Sequence, residues 1–188
     1  MTRKFILPSL LLTLGLAGCG SAPPAPADHF YRLQTPAQSS TAPAANIEIR
    51  RVQADSLYAE RPIVYSDAGN LRQLRQYHYH LWLYPPAQMV RDDLRAQLQK
   101  ANLGSKGALT VDARIVTFDR IVTATGSTAQ AALEVTVTAG NQALIGKRYQ
   151  ADQASSDASM TAFVVAMEGA LAKIFGEIQR DIEAKAAR

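Results

Sequence analysis

From residue 46 onward, apolar and polar positions alternate first with the period of strands and then with that of a helix. Ile47, Ile49 and Val52 alternate with polar neighbours and predict a strand. The stretch Tyr58 to Tyr65 predicts a second strand, and Pro62 within it argues for an edge position because proline has no N–H for a ladder. Asp67-Ala-Gly-Asn70 is a turn signal. An extended segment from Leu71 to Leu83 follows, with Tyr77, Tyr79, Leu81 and Leu83 on one face and His78, His80, Trp82 and Tyr84 on the other. Pro85-Pro86 then opens a helix, where a missing N–H costs little. Ala87, Met89, Val90, Leu94, Leu98 and Ala101 supply its apolar stripe, Asp92 and Asp93 lie early, Lys100 lies late, and Asn102 and Gly104 stop it.

The next section is rich in strands. Leu109, Val111, Ala113 and Ile115 keep one phase; Val116, Phe118 and Val122 continue in the opposite phase, which predicts a bulge near Ile115. Gly126 marks a turn. Ala131, Leu133, Val135 and Val137 face one way while Glu134, Thr136 and Thr138 face the other, Gly140-Asn141 turns the chain, and Leu144 to Gln150 returns. The pattern is that of an antiparallel meander with one wet face. A long final helix is capped by Asp157 or Ser156. Met160, Phe163, Val164, Met167, Leu171, Ile174, Phe175, Ile178 and Ile182, spaced by three or four, form its buried stripe. The expected fold class is α/β (α+β): a single domain with a mainly antiparallel or mixed sheet and two main helices packed on it.

The N-terminus has another pattern. Arg3 and Lys4 precede a run of about twelve mainly apolar residues, too short for a spanning helix of ~20 residues but matched to a signal-peptide core. Leu16-Ala17-Gly18-Cys19 then fills all four positions of a bacterial lipobox, and Cys19 is the chain's one cysteine. The resemblance to lipoprotein signals implies cleavage before Cys19, diacylglycerol on its thiol and acylation of the new amino group, the alternative being an ordinary secretory signal with a cysteine nearby; two or three acyl chains anchor a protein stably. Residues 1–18 are thus assigned to the signal, 19–46 to a lipidated Pro/Ala-rich tether and 47–188 to the folded domain. The tether holds one island, His29-Phe30-Tyr31-Arg32-Leu33, which could form a short strand. Gly20 instead of Asp after the lipidated cysteine points to the outer membrane.

Hydrophobic content of 47% and charged content of 19% suit a packed core and exclude a disordered chain. The formal charge of +4 falls to +2 once Arg3 and Lys4 are removed, and the basic residues are scattered, so nucleic acid is not an expected partner.

The stretch from Gln76 to Pro86 holds two of the three histidines and the one tryptophan, so it is where a site would be sought. His78 and His80 lack a third and fourth metal ligand, and His29 lies in the tether. Gly140 to Arg148 has five residues between its glycines, where a phosphate loop has four, and Arg148 where that loop needs Ser or Thr. No Gly-x-Ser-x-Gly is present, and Asp92 and Asp93 diverge on a helix. No catalytic residue, metal or cofactor is therefore assigned.

The order of parts resembles a known family. The lipobox, the Pro/Ala-rich tether with its Phe-Tyr-Arg-Leu island, Arg61-Pro-Ile-Val-Tyr65 and Tyr79-His-Leu-Trp82 before a Pro85-Pro86 helix start are similar to the ABC-type transport auxiliary lipoproteins, the PqiC-like group. The family's Trp-Ala-Glu-Pro pattern is here Trp82-Leu-Tyr-Pro85, without the acid. The resemblance implies a periplasmic domain lipid-anchored at the outer membrane. It would work with an ABC system whose inner-membrane component is an MCE-domain protein and whose cargo is lipid or another hydrophobic molecule. Homo-oligomerisation is a further expectation, and His80, Trp82 and Tyr84 are the candidate partner contacts. The alternative is a structural lipoprotein supporting an outer-membrane assembly complex.

Overall fold

The computed structural model describes residues 26–34, 46–99 and 108–186. Cys19, the signal segment, the remainder of the tether and the helix stop expected at Asn102 and Gly104 lie outside the described residues. The elements are β1 (His29–Tyr31), β2 (Ile47–Ala54), a 3-10 turn (Ser56–Ala59), β3 (Pro62–Asp67), β4 (Asn70–Trp82), α1 (Pro86–Leu98), β5 (Leu109–Val122), β6 (Ser127–Ala139), β7 (Gln142–Ala154) and α2 (Met160–Ala186).

They form one α+β unit around a seven-stranded mixed sheet. The order is β1-β4-β3-β5-β6-β7, with β2 on β5 beside that path. The long strand β5 organises the sheet. One of its sides pairs along its length with β6, antiparallel. The other carries two parallel partners end to end: β2 along Leu109–Ile115 and β3 along Asp119–Val122. The register shift between Ile115 and Thr117 falls where one partner gives way to the other, so the bulge expected from the phase change of apolar residues is present. It lets Leu109, Val111, Ala113, Ile115 and Phe118 all turn inward.

α2 lies across β6 and β7, and α1 across β2. Phe163, Met167, Leu171, Ile174, Phe175, Ile178 and Ile182 of α2 are buried, with Val90, Leu94 and Leu98 of α1. The opposite face carries charged side chains: Arg50 pairs with Asp112, and Arg114 with Asp55 (2.8 Å) and Glu134 (2.7 Å). This is the one wet face expected of an antiparallel meander.

Three local expectations are corrected. Pro62 does not mark an edge. Residues 56–59 form a 3-10 turn, and Pro62 is the first residue of β3, which lies between β4 and β5; a first strand position tolerates the missing donor as an edge does. The cap of α2 is neither Asp157 nor Ser156. Ser159 Oγ accepts from the Ala162 N–H (3.1 Å), as an N-cap does, while Asp157 Oδ1 accepts from the Ser159 N–H (2.7 Å) and so fixes the cap. The face alternation of β4 is broken. Pro62 and Val64, two residues apart on β3, face Leu81 and Gln76, five apart on β4, so β4 carries three extra residues between them. This bulge contains Tyr77, His78, Tyr79 and His80.

Candidate functional site

The bulge in β4 brings side chains together that strict alternation would separate. Tyr77 and His80 meet edge to face at 5.4 Å, and Tyr77 stacks on Tyr65 of β3 at 4.2 Å. β1 adds the rest. It runs parallel to β4 with His29 opposite His80 and Tyr31 opposite Trp82. The two imidazoles stack at 5.3 Å, and the Tyr31 hydroxyl lies 2.9 Å from His80 Nδ1. Spacing along the chain could not bring His29 to His80, because a parallel pairing over fifty positions leaves no local signal.

β1 is held from several sides. The Leu83 N–H donates to Tyr31 O (2.6 Å), and the Gln34 N–H donates to Glu168 Oε1 on α2 (2.6 Å). Arg61, the first residue of the Arg-Pro-Ile-Val-Tyr element, acts as the fastener. Its Nε donates to Trp82 O (3.0 Å), its own carbonyl accepts from the Trp82 N–H (2.7 Å), and its guanidinium sits 5.0 Å from the Phe30 ring centroid.

The predicted contact residues separate. Trp82 is 1% exposed and packs against Phe118 at 5.3 Å and Phe163 at 6.0 Å; it is a core residue, and its ring offers no surface in this conformation. His80 is half-buried within the cluster. Burial, then His29, then Arg120 hold its imidazole below the ordinary histidine pKa. Tyr84 is exposed, as are Phe30 and Tyr79 nearby. His78 is exposed too, with its ring 6.3 Å from that of Tyr79. Among the described residues no group of three or more metal-ligating side chains forms.

Two buried charged residues were missed by the sequence reading. Arg120, only 6% exposed, follows Phe118 in the inward phase of β5. Its Nη1 donates to the Tyr77 hydroxyl oxygen (3.2 Å) and approaches Met160 Sδ (3.9 Å), while its Nη2 donates to Ala158 O (2.6 Å). Its guanidinium lies 5.8 Å from the Phe163 ring centroid, and its Nε is buried without a partner. Among the described residues, none of the ion pairs includes Arg120. Asp119 points the other way, 3% exposed, and accepts from the Tyr58 hydroxyl at 3.4 Å. Burial pushes its carboxyl up to about 6, and Asp152 adds to the rise. The available signal was the phase: a charged residue at position 120 interrupts the apolar set Val116, Phe118, Val122.

Away from this cluster, an open groove of about 430 Å³ lies between Leu144–Lys147 of β7 and Asp181, Ala184 and Lys185 of α2. Lys147 and the Tyr149 hydroxyl both donate to Asp181 Oδ2 beside it, each at 2.8 Å. No described helix is long and apolar enough to cross a membrane.

Residues 31–179 match the model of a family described as "ABC-type transport auxiliary lipoprotein component". Two solved structures share the fold. One, an uncharacterized protein, is 18% identical with a TM-score of 0.65, covering 84% of this chain and 99% of that one. The other, protein XCC0632 from Xanthomonas campestris, a DUF330 protein, is 15% identical with a TM-score of 0.64, covering 85% and 100%. A comparison with curated proteins gives no match.

Proposed function

The chain belongs to the ABC-type transport auxiliary lipoprotein component family, and from that premise we propose that it is the outer-membrane-anchored, periplasmic docking component of an ABC system built on an MCE-domain protein. In this reading Cys19 carries the acyl chains, the domain faces the periplasm, and the protein passes or guides lipid or another hydrophobic cargo without chemistry of its own. The family match carries the proposal, since it spans β2 to β7 and most of α2. The β1–β4 edge adds support. Phe30, Tyr79 and Tyr84 are 51%, 41% and 49% exposed there, and exposed aromatic side chains are enriched where proteins meet partners. Homo-oligomerisation would repeat this edge and multiply weak contacts.

Photo-crosslinking in living cells tests the reading, with the probe at His80, Tyr84 or Phe30 and at Val165, exposed on α2, as the control. An MCE-domain protein as the main adduct from the first three positions, and not from Val165, is the expected result. Adducts solely to outer-membrane β-barrel proteins would replace it with a supporting role in outer-membrane assembly.

A further inference from the structure

The feature that the docking role does not use is the guanidinium of Arg120. Taking a charge out of water is costly, and proteins usually offset the cost with a carboxylate. None is paired with Arg120 among the described residues. A methionine or leucine there would pack on Phe163 and Met160 without that cost. Of the five guanidinium N–H donors, one reaches a tyrosine, one a carbonyl, one a thioether, and Nε reaches nothing.

The groups around it extend the positive site outward. Nη1 donates to the Tyr77 oxygen, which leaves the Tyr77 O–H free to donate in turn. Tyr77 is half-buried where Arg120 is buried, so the tyrosine is the more accessible residue of the pair. Beside it stand Tyr31, His80 and His29, none of which is a carboxylate. The cluster is rich in donors, carries a buried positive charge, and among the described residues has no carboxylate paired with Arg120.

We propose that Arg120 and the Tyr77 hydroxyl, flanked by Tyr31 and His80, form a subsite for an oxyanion of the phosphate type. The ligand meets the Tyr77 hydroxyl first and is held by the field of the guanidinium behind it; a charge-assisted hydrogen bond of this kind is about twice as strong as a neutral one. The phosphate group can belong to a phospholipid head group or to a free anion, and the subsite does not depend on which protein the domain docks against.

The test uses the full mature lipoprotein in a neutral maltoside detergent. Binding is measured by calorimetry with two probes: inorganic phosphate, and short-chain phosphatidylglycerol below its micelle concentration. Short-chain diacylglycerol, which has the acyl chains and no phosphate, is the control for apolar contact. Tyr77→Phe keeps the ring and removes the donor; Arg120→Met keeps the length and removes the charge. Tyr77→Phe is expected to weaken binding by roughly tenfold, the worth of one charge-assisted hydrogen bond, and Arg120→Met to abolish it. If Arg120→Met does not fold, Tyr77→Phe alone decides. Binding of both probes with this loss identifies a lipid head group as the source; binding of phosphate alone identifies a free anion. No binding of either probe, equal binding by the wild type and Tyr77→Phe, or equal affinity for the diacylglycerol overturns the proposal.

Discussion

Asp119→Asn should make the protein more stable above neutrality and less stable in acid. Asp119 is 3% exposed and its carboxyl is pushed from 3.8 to about 6 by burial first, with Asp152 adding to the rise and the Tyr58 hydroxyl acting against it. A raised carboxyl pKa means that the folded state binds the proton more tightly than the unfolded chain does. Its contribution to stability is then fully present below the unfolded value near 4 and is lost as pH rises through about 6. A rise of roughly two units corresponds to about 3 kcal/mol, which is the part of the stability that the charged form removes at pH 8. Asparagine cannot ionise, and its Oδ1 can still accept from Tyr58. Its new amide N–H groups enter a buried position at a cost of about 1–3 kcal/mol. The cost is the same at every pH; the ionisation effect is not.

The decisive quantity is therefore the difference between variant and wild type as pH changes. That difference should swing by about 2.5 kcal/mol in favour of Asp119→Asn between pH 4 and pH 8, with most of the swing between pH 4 and 6. Urea unfolding at fixed salt gives it, followed by the fluorescence of Trp82, the chain's one tryptophan and a buried one. All other titrating groups are common to both proteins and cancel. Two curves that run parallel from pH 4 to 8, or a swing of the opposite sign, would refute the assignment of a buried, largely uncompensated carboxyl. Asp152→Asn provides a second check, because removing that charge should move the wild-type inflection to lower pH.

Two further predictions concern packing and backbone. Trp82→Ala should cost about 3–5 kcal/mol, the range for truncating a large buried aromatic, since Phe118 and Phe163 lose their shared neighbour; thermal unfolding by circular dichroism measures it, and a loss below 1 kcal/mol would remove Trp82 from the core. Gly140→Ala should cost about 1–2 kcal/mol from backbone alone, because Gly140 has φ +55° in the β6–β7 turn while nothing lies within 4 Å of an added Cβ; Gly146→Ala, also with open space around it, is the control in the same urea assay.

Local period made much of this fold legible. The long inward stripe of α2, the phase change at Ile115 and the two proline positions at the start of α1 are local patterns, and each appears in the structure. Pro62 was misplaced because an edge and a first strand position share one property, that the ladder needs no N–H donor there, and only the neighbouring strands tell them apart. The faces of β4 were misassigned because a three-residue bulge against β3 depends on pairing partners that the segment does not encode by itself. Trp82 was offered as a contact on the strength of its residue type; its burial follows from Phe118 and Phe163, which come from distant segments. Arg120 was passed over because an isolated arginine in a strand ordinarily turns to solvent, and here the bulge at Ile115 turns it to the core side.

The position of β1 has a consequence for reach. On the proposal that Cys19 carries the lipid, the anchor is separated from the first sheet residue, His29, by ten chain steps. Fully extended, ten steps span about 35 Å at most. Had the sheet begun at Ile47, twenty-eight steps would have allowed about 100 Å. Pairing of His29–Tyr31 with β4, Arg61 under Phe30 and Gln34 on Glu168 together shorten the leash to about a third. They also make the β1–β4 edge the part of the domain nearest the anchor along the chain. A partner approaching from the inner membrane would have to come within that shorter radius of the bilayer, or β1 would have to release. Release would part the His29–His80 stack and the Tyr31–His80 contact beside Arg120. The same three-residue strand thus sets both the length of the tether and the company of His80, and Phe30→Ala, which removes the face under Arg61, should speed hydrogen exchange of the Leu83 amide that donates to Tyr31 O; an unchanged exchange rate would refute this.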